Sequence, residues 1–331
     1  MPIKSIQSAR ILLSPLNWGL GHVSRTIPIV QQLLDQNNEV FICCDEQQEV
    51  FYRYYFPQLW YIPHKGYPFQ FEGKGKWTWD VLKNSAALHA RFRSEKQEVR
   101  ELVNKFQPDL IISDQRYGFL SKTVKSVIVS HQLKLPLPKW NVFPQFWNAR
   151  WLKAFDEIWI PDNPNRQLSG DLSRKSIKNE HFIGFCSRFS CDFHQNGEKR
   201  DVSTMYRYLG VVSGPFPYNQ QFFELLHQKL LEKDEKSAII VPKDVNVDEI
   251  SKNEKLDVFV FPSVEKFTEL LCQSEEVISR AGYSTLMDLS VVKKKATLLP
   301  TPGQYEQLYL AKLHKNHELW RFLSEEEFLR E

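Results

Sequence analysis

Short apolar runs alternate with helical spacings along most of the chain. Ile11-Leu12-Leu13 has strand length, and Ile27, Val30, Leu33 and Leu34 then recur on one helix face. Further runs lie at Glu39–Cys44, Leu59–Ile62, Pro108–Asp114, Ser126–Ser130 and Glu157–Asp162, with a long helical pattern over Val81–Phe106. Strands separated by helices predict βαβ units and a parallel, doubly wound sheet. His181–Arg188 is a last run before Ser190–Asp201, a polar and charged stretch that predicts a linker. The pattern then restarts. Tyr206–Val212, Ala238–Val241, Val258–Phe261, Val277-Ile278 and Ala296–Leu299 read as strands, and Phe222–Leu231, Phe267–Cys272 and Glu306–His314 as helices. Ser324 with Glu327 predicts a capping box for a short last helix. The expected architecture is α/β, with doubly wound domains at residues 1–188 and 203–331. The last helix is expected to pack back on the first domain.

Two strand-to-helix turns carry candidate chemistry. In the second half, Val277-Ile278 leads into Ser279-Arg280-Ala281-Gly282, and helical spacing begins at Ser284. Gly282 is expected to use its freedom to take φ > 0 in this turn. A helix N-terminus binds phosphate because unsatisfied N–H donors and the positive dipole end coincide there. Ser284 and Thr285 add hydroxyls, and Asp288, one turn on, can accept from sugar hydroxyls. Pro300-Thr-Pro-Gly-Gln-Tyr-Glu-Gln307 opens another helix after the Ala296–Leu299 run. In the first half, Asn17-Trp-Gly-Leu-Gly-His-Val-Ser-Arg25 follows the first strand. Gly19-x-Gly21 alone is a weak signal, since Ser24 stands where a dinucleotide fingerprint has its third glycine. His22 falls at a helix start beyond the carboxyl end of a strand, where open α/β sheets place ligands. The dipole there disfavours imidazolium, so His22 is expected to be neutral and able to act as a base. Its ordinary reading is a capping or core histidine. Asp114 ends a strand expected at the same edge and either orients His22 or caps the next helix.

Composition narrows the partners. Apolar residues make up 42% and charged residues 25% of the 331, ordinary values for a globular protein. A net charge of +3 gives no nucleic-acid signal. No run approaches the roughly 18 apolar residues of a membrane span. Met1–Arg10 lacks the apolar core of a signal peptide. The five cysteines form neither a disulfide framework nor a zinc pattern, so a reducing cytoplasm is the expectation. Aromatics cluster with basic residues at Tyr67–Trp79 (Phe69, Phe71, Lys74, Lys76, Trp77, Trp79) and at Trp140–Lys153 (Phe143, Phe146, Trp147, Arg150, Trp151). Either cluster is a loop folded onto its domain or a surface for an acceptor or an anionic membrane. The basic run Arg91, Arg93, Lys96, Arg100 reads as a solvated helix face. No Asp-x-Asp occurs, so no metal is expected at the site.

Ser279-Arg280-Ala281-Gly282 with Thr285 and Asp288, followed by Pro300 and Glu306-Gln307, resembles the donor half of family-28-type glycosyltransferases. That group includes the transferase that adds N-acetylglucosamine to the peptidoglycan lipid precursor. Gly214 and the Gly19-Leu-Gly21-His22 loop fit the same pattern, as does an acidic residue at Asp114. The resemblance implies the GT-B fold, two Rossmann-like domains facing across a cleft that closes over the donor. It implies that the turn at Gly282 holds a nucleotide diphosphate and that Asp288 binds ribose. It implies that Gln304 and Glu306-Gln307 contact the donor sugar. Tyr283 departs from the small residue common in relatives, which puts the shape of the nucleotide pocket in question. The implied reaction moves a sugar from a UDP-linked donor to an acceptor hydroxyl, with inversion and without a metal. The donor is a substrate and no cofactor is expected. The acceptor is expected to be a glycan or a lipid-linked sugar of a cell-envelope polysaccharide, met on the cytoplasmic membrane face.

Other readings stay open. Some nucleotide-sugar hydrolases carry a Gly-His loop followed by a basic residue, much like Gly21-His-Val-Ser-Arg25, and use water as acceptor. A nucleotide-sugar epimerase matches fewer motifs. A non-catalytic sugar-nucleotide-binding subunit has no use for both His22 and a complete donor motif.

Overall fold

The computed structural model describes residues 2–68, 71–75, 80, 83–137, 142–174, 177, 179–189, 204–248 and 253–331. The chain divides into two compact units. The first is Met1–Phe69 with Val81–Arg188, and the second is Gln70–Asp80 with Phe189–Glu331. The expected linker, Ser190–Asp201, lies outside the described residues, as do Phe69, Lys76, Trp77, Trp79, Lys139, Trp140 and the side chain of Phe143.

The first unit holds a seven-stranded parallel sheet. Its strands are β1 (Arg10–Pro15), β2 (Glu39–Cys44), β3 (Trp60–Pro63), β4 (Leu110–Asp114), β5 (Lys125–Val129), β6 (Glu157–Ile160) and β7 (Glu180–Phe182). The order is β3-β2-β1-β4-β5-β6-β7. Strands β1, β2, β4 and β5 are buried along nearly their whole length, which is why they read as continuous apolar runs. Leu12, Phe41, Cys43 and Ile111 pack against Val99 of helix α3 (Ser85–Phe106) and Phe119. Burial of each large apolar side chain contributes about 1.5–3 kcal/mol. The His181–Arg188 run forms a strand only over Glu180–Phe182, and Gly184 turns out of it at φ +84°.

The second unit repeats the design with β8 (Tyr206–Val211), β9 (Ser237–Val241), β10 (Leu256–Val260), β11 (Ser274–Arg280), β12 (Lys295–Leu299) and β13 (Trp320–Phe322). Their order is β10-β9-β8-β11-β12-β13, again all parallel. The sequence pattern missed β13, because three residues are too few to show a period. Residues 71–75 belong to this unit: Gly73 O accepts from Gln221 Nε2 at 3.0 Å, and the Phe71 and Tyr218 rings lie 6.1 Å apart. The last helix, Glu325–Arg330, has the expected Ser324/Glu327 capping box. Its Phe328, an apolar side chain one turn into the helix, is buried with Phe222, Leu226 and Leu230 in the core of the second unit.

Each sheet reverses its strand order once, between β1 and β4 and between β8 and β11. In open α/β sheets the crevice beyond the carboxyl ends at such a switch point is the usual ligand site. The glycine-bearing turns follow β1, β8 and β11, so both candidate sites fall at switch points.

Candidate active site

In the first unit, β1 and β4 run side by side with Pro15 opposite Asp114, and Leu16 N donates to Asp114 O at 2.9 Å. The chain turns at Gly19, whose φ of +94° favours glycine, and enters helix α1 (Leu20–Leu34). Gly19 is the N-cap and Gly21 lies in the first turn, so the loop is short and His22 is carried directly over the β4 end. His22 Nδ1 lies 2.9 Å from Asp114 Oδ2. Asp114 was read as orienting His22 or capping a helix, and the structure brings the two together.

Asp114 is fully buried, and Arg25, only 2% exposed, lies beside it. Arg25 Nε donates to Asp114 Oδ1 at 2.9 Å, and Nη2 donates to the same oxygen. Arg25 Nη2 also lies 2.8 Å from His22 Nδ1, and Nη1 is 3.4 Å from His131 Nδ1. The sequence reading used Arg25 only in the hydrolase alternative and gave His131 no role. The available signal was the i, i+3 spacing of His22 and Arg25, which puts both on one helix face. Nothing local marked His131, which lies just past β5 and meets Arg25 only in the folded sheet.

The charges set the protonation states. Burial pushes the His22 pKa below its ordinary value, Arg25 pushes the same way, and Asp114 opposes. Burial alone would raise the Asp114 pKa, but Arg25 and His22 outweigh it and hold the carboxyl below the usual range. An ionised Asp114 can only accept, so it takes Nδ1–H and leaves the His22 lone pair on Nε2, and the Arg25 Nη2 approach to Nδ1 is then a contact between charges and not a hydrogen bond. Among the described residues no hydrogen bond is made to Nε2, and 18% of the side-chain surface remains exposed. A neutral imidazole fixed through one nitrogen and open at the other has the form of a general base.

In the second unit, Val211 of β8 pairs with Ser279 of β11, and Ser279 Oγ donates to Val211 O at 3.0 Å. The turns at Ser213-Gly214 and Ala281-Gly282 therefore leave adjacent strands. Gly214 takes φ +105°, and a Cβ there would meet nothing within 4 Å. The expectation of φ > 0 at Gly282 is not met: φ is −72° and the residue is the N-cap of helix α7 (Tyr283–Val292). What glycine supplies there is open space, since an added Cβ would meet only Thr285 Oγ1, at 3.7 Å. Tyr283 is buried, so its ring fills core, while Ser284, Thr285 and Asp288 stay half-buried on α7. Arg280 is buried, stacks 4.1 Å over the Phe222 ring and pairs with Glu325 at 2.7 Å. Its Nε and Nη1 have no hydrogen-bond partner among the described residues.

After β12 the chain enters helix α8 (Tyr305–Leu313), with Gln304 as N-cap and Glu306 in the first turn. Gln307 Oε1 accepts from Thr301 N at 2.7 Å, so this side chain holds the loop that precedes the helix. Gln304 Oε1 is buried with no partner among the described residues. A buried, unsatisfied amide oxygen at a helix start invites a donor from a ligand.

Residues 216–330 match the family model described as "Glycosyltransferase family 28 C-terminal domain". That match covers about a third of the chain and lies within the second unit. The chain as a whole is similar to proteins named UDP-N-acetylglucosamine–N-acetylmuramyl-(pentapeptide) pyrophosphoryl-undecaprenol N-acetylglucosamine transferase. One from Bacillus cereus is 22% identical, over 88% of this chain and 79% of the relative. One from Bacillus cytotoxicus is 24% identical, over 73% and 66%. Among solved structures, spinosyn rhamnosyltransferase SpnG complexed with thymidine diphosphate matches with TM-score 0.64 at 14% identity, covering 97% of this chain and 90% of that one. MurG of Acinetobacter baumannii matches with TM-score 0.53 at 11% identity, covering 96% and 86%. These neighbours share the GT-B fold. The protein is a glycosyltransferase of that fold, and the stretch that matches family 28 lies in its second unit. Among the described residues no helix is long and apolar enough to cross a membrane.

Proposed function

We propose that the protein transfers a sugar from a UDP-linked donor to an acceptor hydroxyl in a single displacement, with inversion and without a metal. The observation that carries this reading is His22, held through Nδ1 by a buried Asp114 and unengaged at Nε2. Nε2 takes the acceptor proton, and the acceptor oxygen forms its bond to the anomeric carbon. The bond from that carbon to the phosphate oxygen breaks, and its electron pair leaves on the nucleoside diphosphate. The leaving charge needs donors. The open helix start at Gly282–Thr285 and the Gly214 turn supply backbone N–H groups at adjacent strand ends. Arg280 contributes little net charge, because Glu325 neutralises it. Asp288 takes the ribose, and Gln304 with Glu306 takes the sugar.

The relatives' printed names describe a UDP-N-acetylglucosamine donor and a pyrophosphoryl-undecaprenol acceptor. Both suit this reading, and a lipid-linked acceptor calls for contact with the cytoplasmic membrane face. Helix α4 (Val142–Leu152) supports that contact: Phe146 is 62% and Trp147 39% exposed, with Arg150 exposed beside them. Incubation with a panel of UDP-sugars, with and without a lipid-pyrophosphate sugar, tests the reaction through nucleotide release and product mass. Acceptor-dependent release supports transfer. No release with any UDP-sugar and any acceptor sinks it. The contact of Arg25 with His22 favours one second reading, hydrolysis by an activated water, whose mark is equal release without acceptor.

A further inference from the structure

Arg25 is buried at the centre of the base cluster and touches three of its members. A guanidinium has only donors. It therefore cannot accept the His22 proton, and a second proton on the ring would place two cations 2.8 Å apart. Its bonds to Asp114 Oδ1 also cancel the charge that would otherwise stabilise an imidazolium, leaving Oδ2 as a neutralised anchor for Nδ1–H. Resting on the general-base reading above, we propose that Arg25 is a positioning residue that keeps His22 unprotonated and fixed on Asp114, extending its use as a base into mildly acidic solution.

The groups around His22 agree on direction. Among the described residues Asp114, at the β4 end, is the one anion that pairs with it, and it is shared with Arg25. His131, beyond β5, faces Arg25 and adds no negative charge. The Cys186 thiol, pushed up to about 12 by burial, is neutral. Tyr52 of helix α2 (Glu46–Tyr55) is raised well above its ordinary value by burial and bonds Thr26, so it is neutral as well. Removing Arg25 deletes a repelling cation and releases the full charge of Asp114, and both changes favour imidazolium.

The test is NMR titration of the His22 ring nitrogens in histidine-labelled protein, with the signal assigned from His22→Gln. In the wild type the midpoint is expected below 6.5. In Arg25→Gln it is expected to rise by about one pH unit or more, the usual effect of a nearby charge, and the acid limb of kcat/KM is expected to move with it. If Arg25→Gln does not fold, Asp114→Asn and the double variant Arg25→Gln/Asp114→Asn replace it. The double variant is expected to titrate above Asp114→Asn alone. A midpoint unmoved or lowered by loss of Arg25 in either background overturns the proposal. The titration reads His22 itself. Normal turnover in His22→Gln would thus remove the base reading while leaving the effect of Arg25 measurable.

Discussion

The first unit buries two clusters of the same three residue types, a carboxylate, an arginine and a histidine, and they are used differently. In one, Asp114 holds Arg25 and His22. In the other, Glu95 of α3 accepts from His64 Nε2 at 3.0 Å, from Arg116 Nε at 2.7 Å and from the Tyr67 hydroxyl at 2.8 Å. The second cluster is closed on every side. Arg116 also donates to Lys65 O at 2.6 Å and stacks 4.9 Å over the Tyr67 ring. His64 faces carboxylates with both nitrogens, since Glu98 Oε2 lies 3.6 Å from Nδ1. His64 is 4% exposed and His22 is 18% exposed. Chemistry needs one valence left open, and only His22 has it. The Glu95 cluster instead ties the chain after β3 to α3 and to Arg116, two residues beyond Asp114, and so braces the edge on which the base stands.

The largest expected effect breaks the closed cluster. Glu95→Ala leaves Arg116 buried without its counter-ion, which typically costs about 3–5 kcal/mol. Denaturant unfolding should show that loss, with turnover per folded molecule largely kept. Full stability in this variant would mean that the cluster braces nothing. Next comes His22→Ala, which should lower turnover by roughly 10²–10⁴-fold and leave donor affinity and stability nearly unchanged. Asp114→Asn should lose less turnover. If His22→Ala abolished nucleotide binding but spared turnover of bound donor, His22 would be a phosphate ligand. Asp288→Ala, in the other unit, should weaken UDP binding by roughly 1–3 kcal/mol by calorimetry. Unchanged affinity would remove it from the donor site.

The fold was legible in the sequence because both sheets are parallel and buried, so their strands are apolar runs between helical patterns. Only β13 fell below the length at which a pattern shows, and β7 proved shorter than the His181–Arg188 run that announced it. The glycine turns and His22 were legible because a strand, a glycine and a helix start are local features. Asp114 was half-legible, as a carboxylate at a strand end with two possible uses. Arg25, His131 and the whole Glu95 cluster were not. His64, Glu95 and Arg116 are far apart in sequence, and each alone reads as a side chain that faces water. The pairing of Arg280 with Glu325 was hidden for the same reason, and so was the reason for glycine at position 282, which is open space and not a positive φ.

The smallest effect concerns acid stability, and it separates the two histidines. Burial holds both His22 and His64 below their ordinary pKa, so they stay neutral in the folded protein where the unfolded chain takes up protons. The unfolded state then binds more protons, and stability falls as pH drops through about 6.5. Each histidine contributes at most about 1.4 kcal/mol per pH unit. His227 and His317, also lowered by burial, add to the slope in every variant alike. Asp114 and Glu95, held below the carboxylate range, act in a second and more acidic window, where stability falls as pH drops through their folded pKa. Denaturant midpoints at pH 7, 6 and 5.5 should therefore decline in the wild type. His64→Gln should flatten that decline by one histidine's share while leaving the acid limb of kcat/KM in place. His22→Gln should flatten it equally and remove the limb along with most of the turnover. A kcat/KM limb that moved in His64→Gln as far as in Arg25→Gln would show that the two clusters titrate as one, and the division between brace and base would fail.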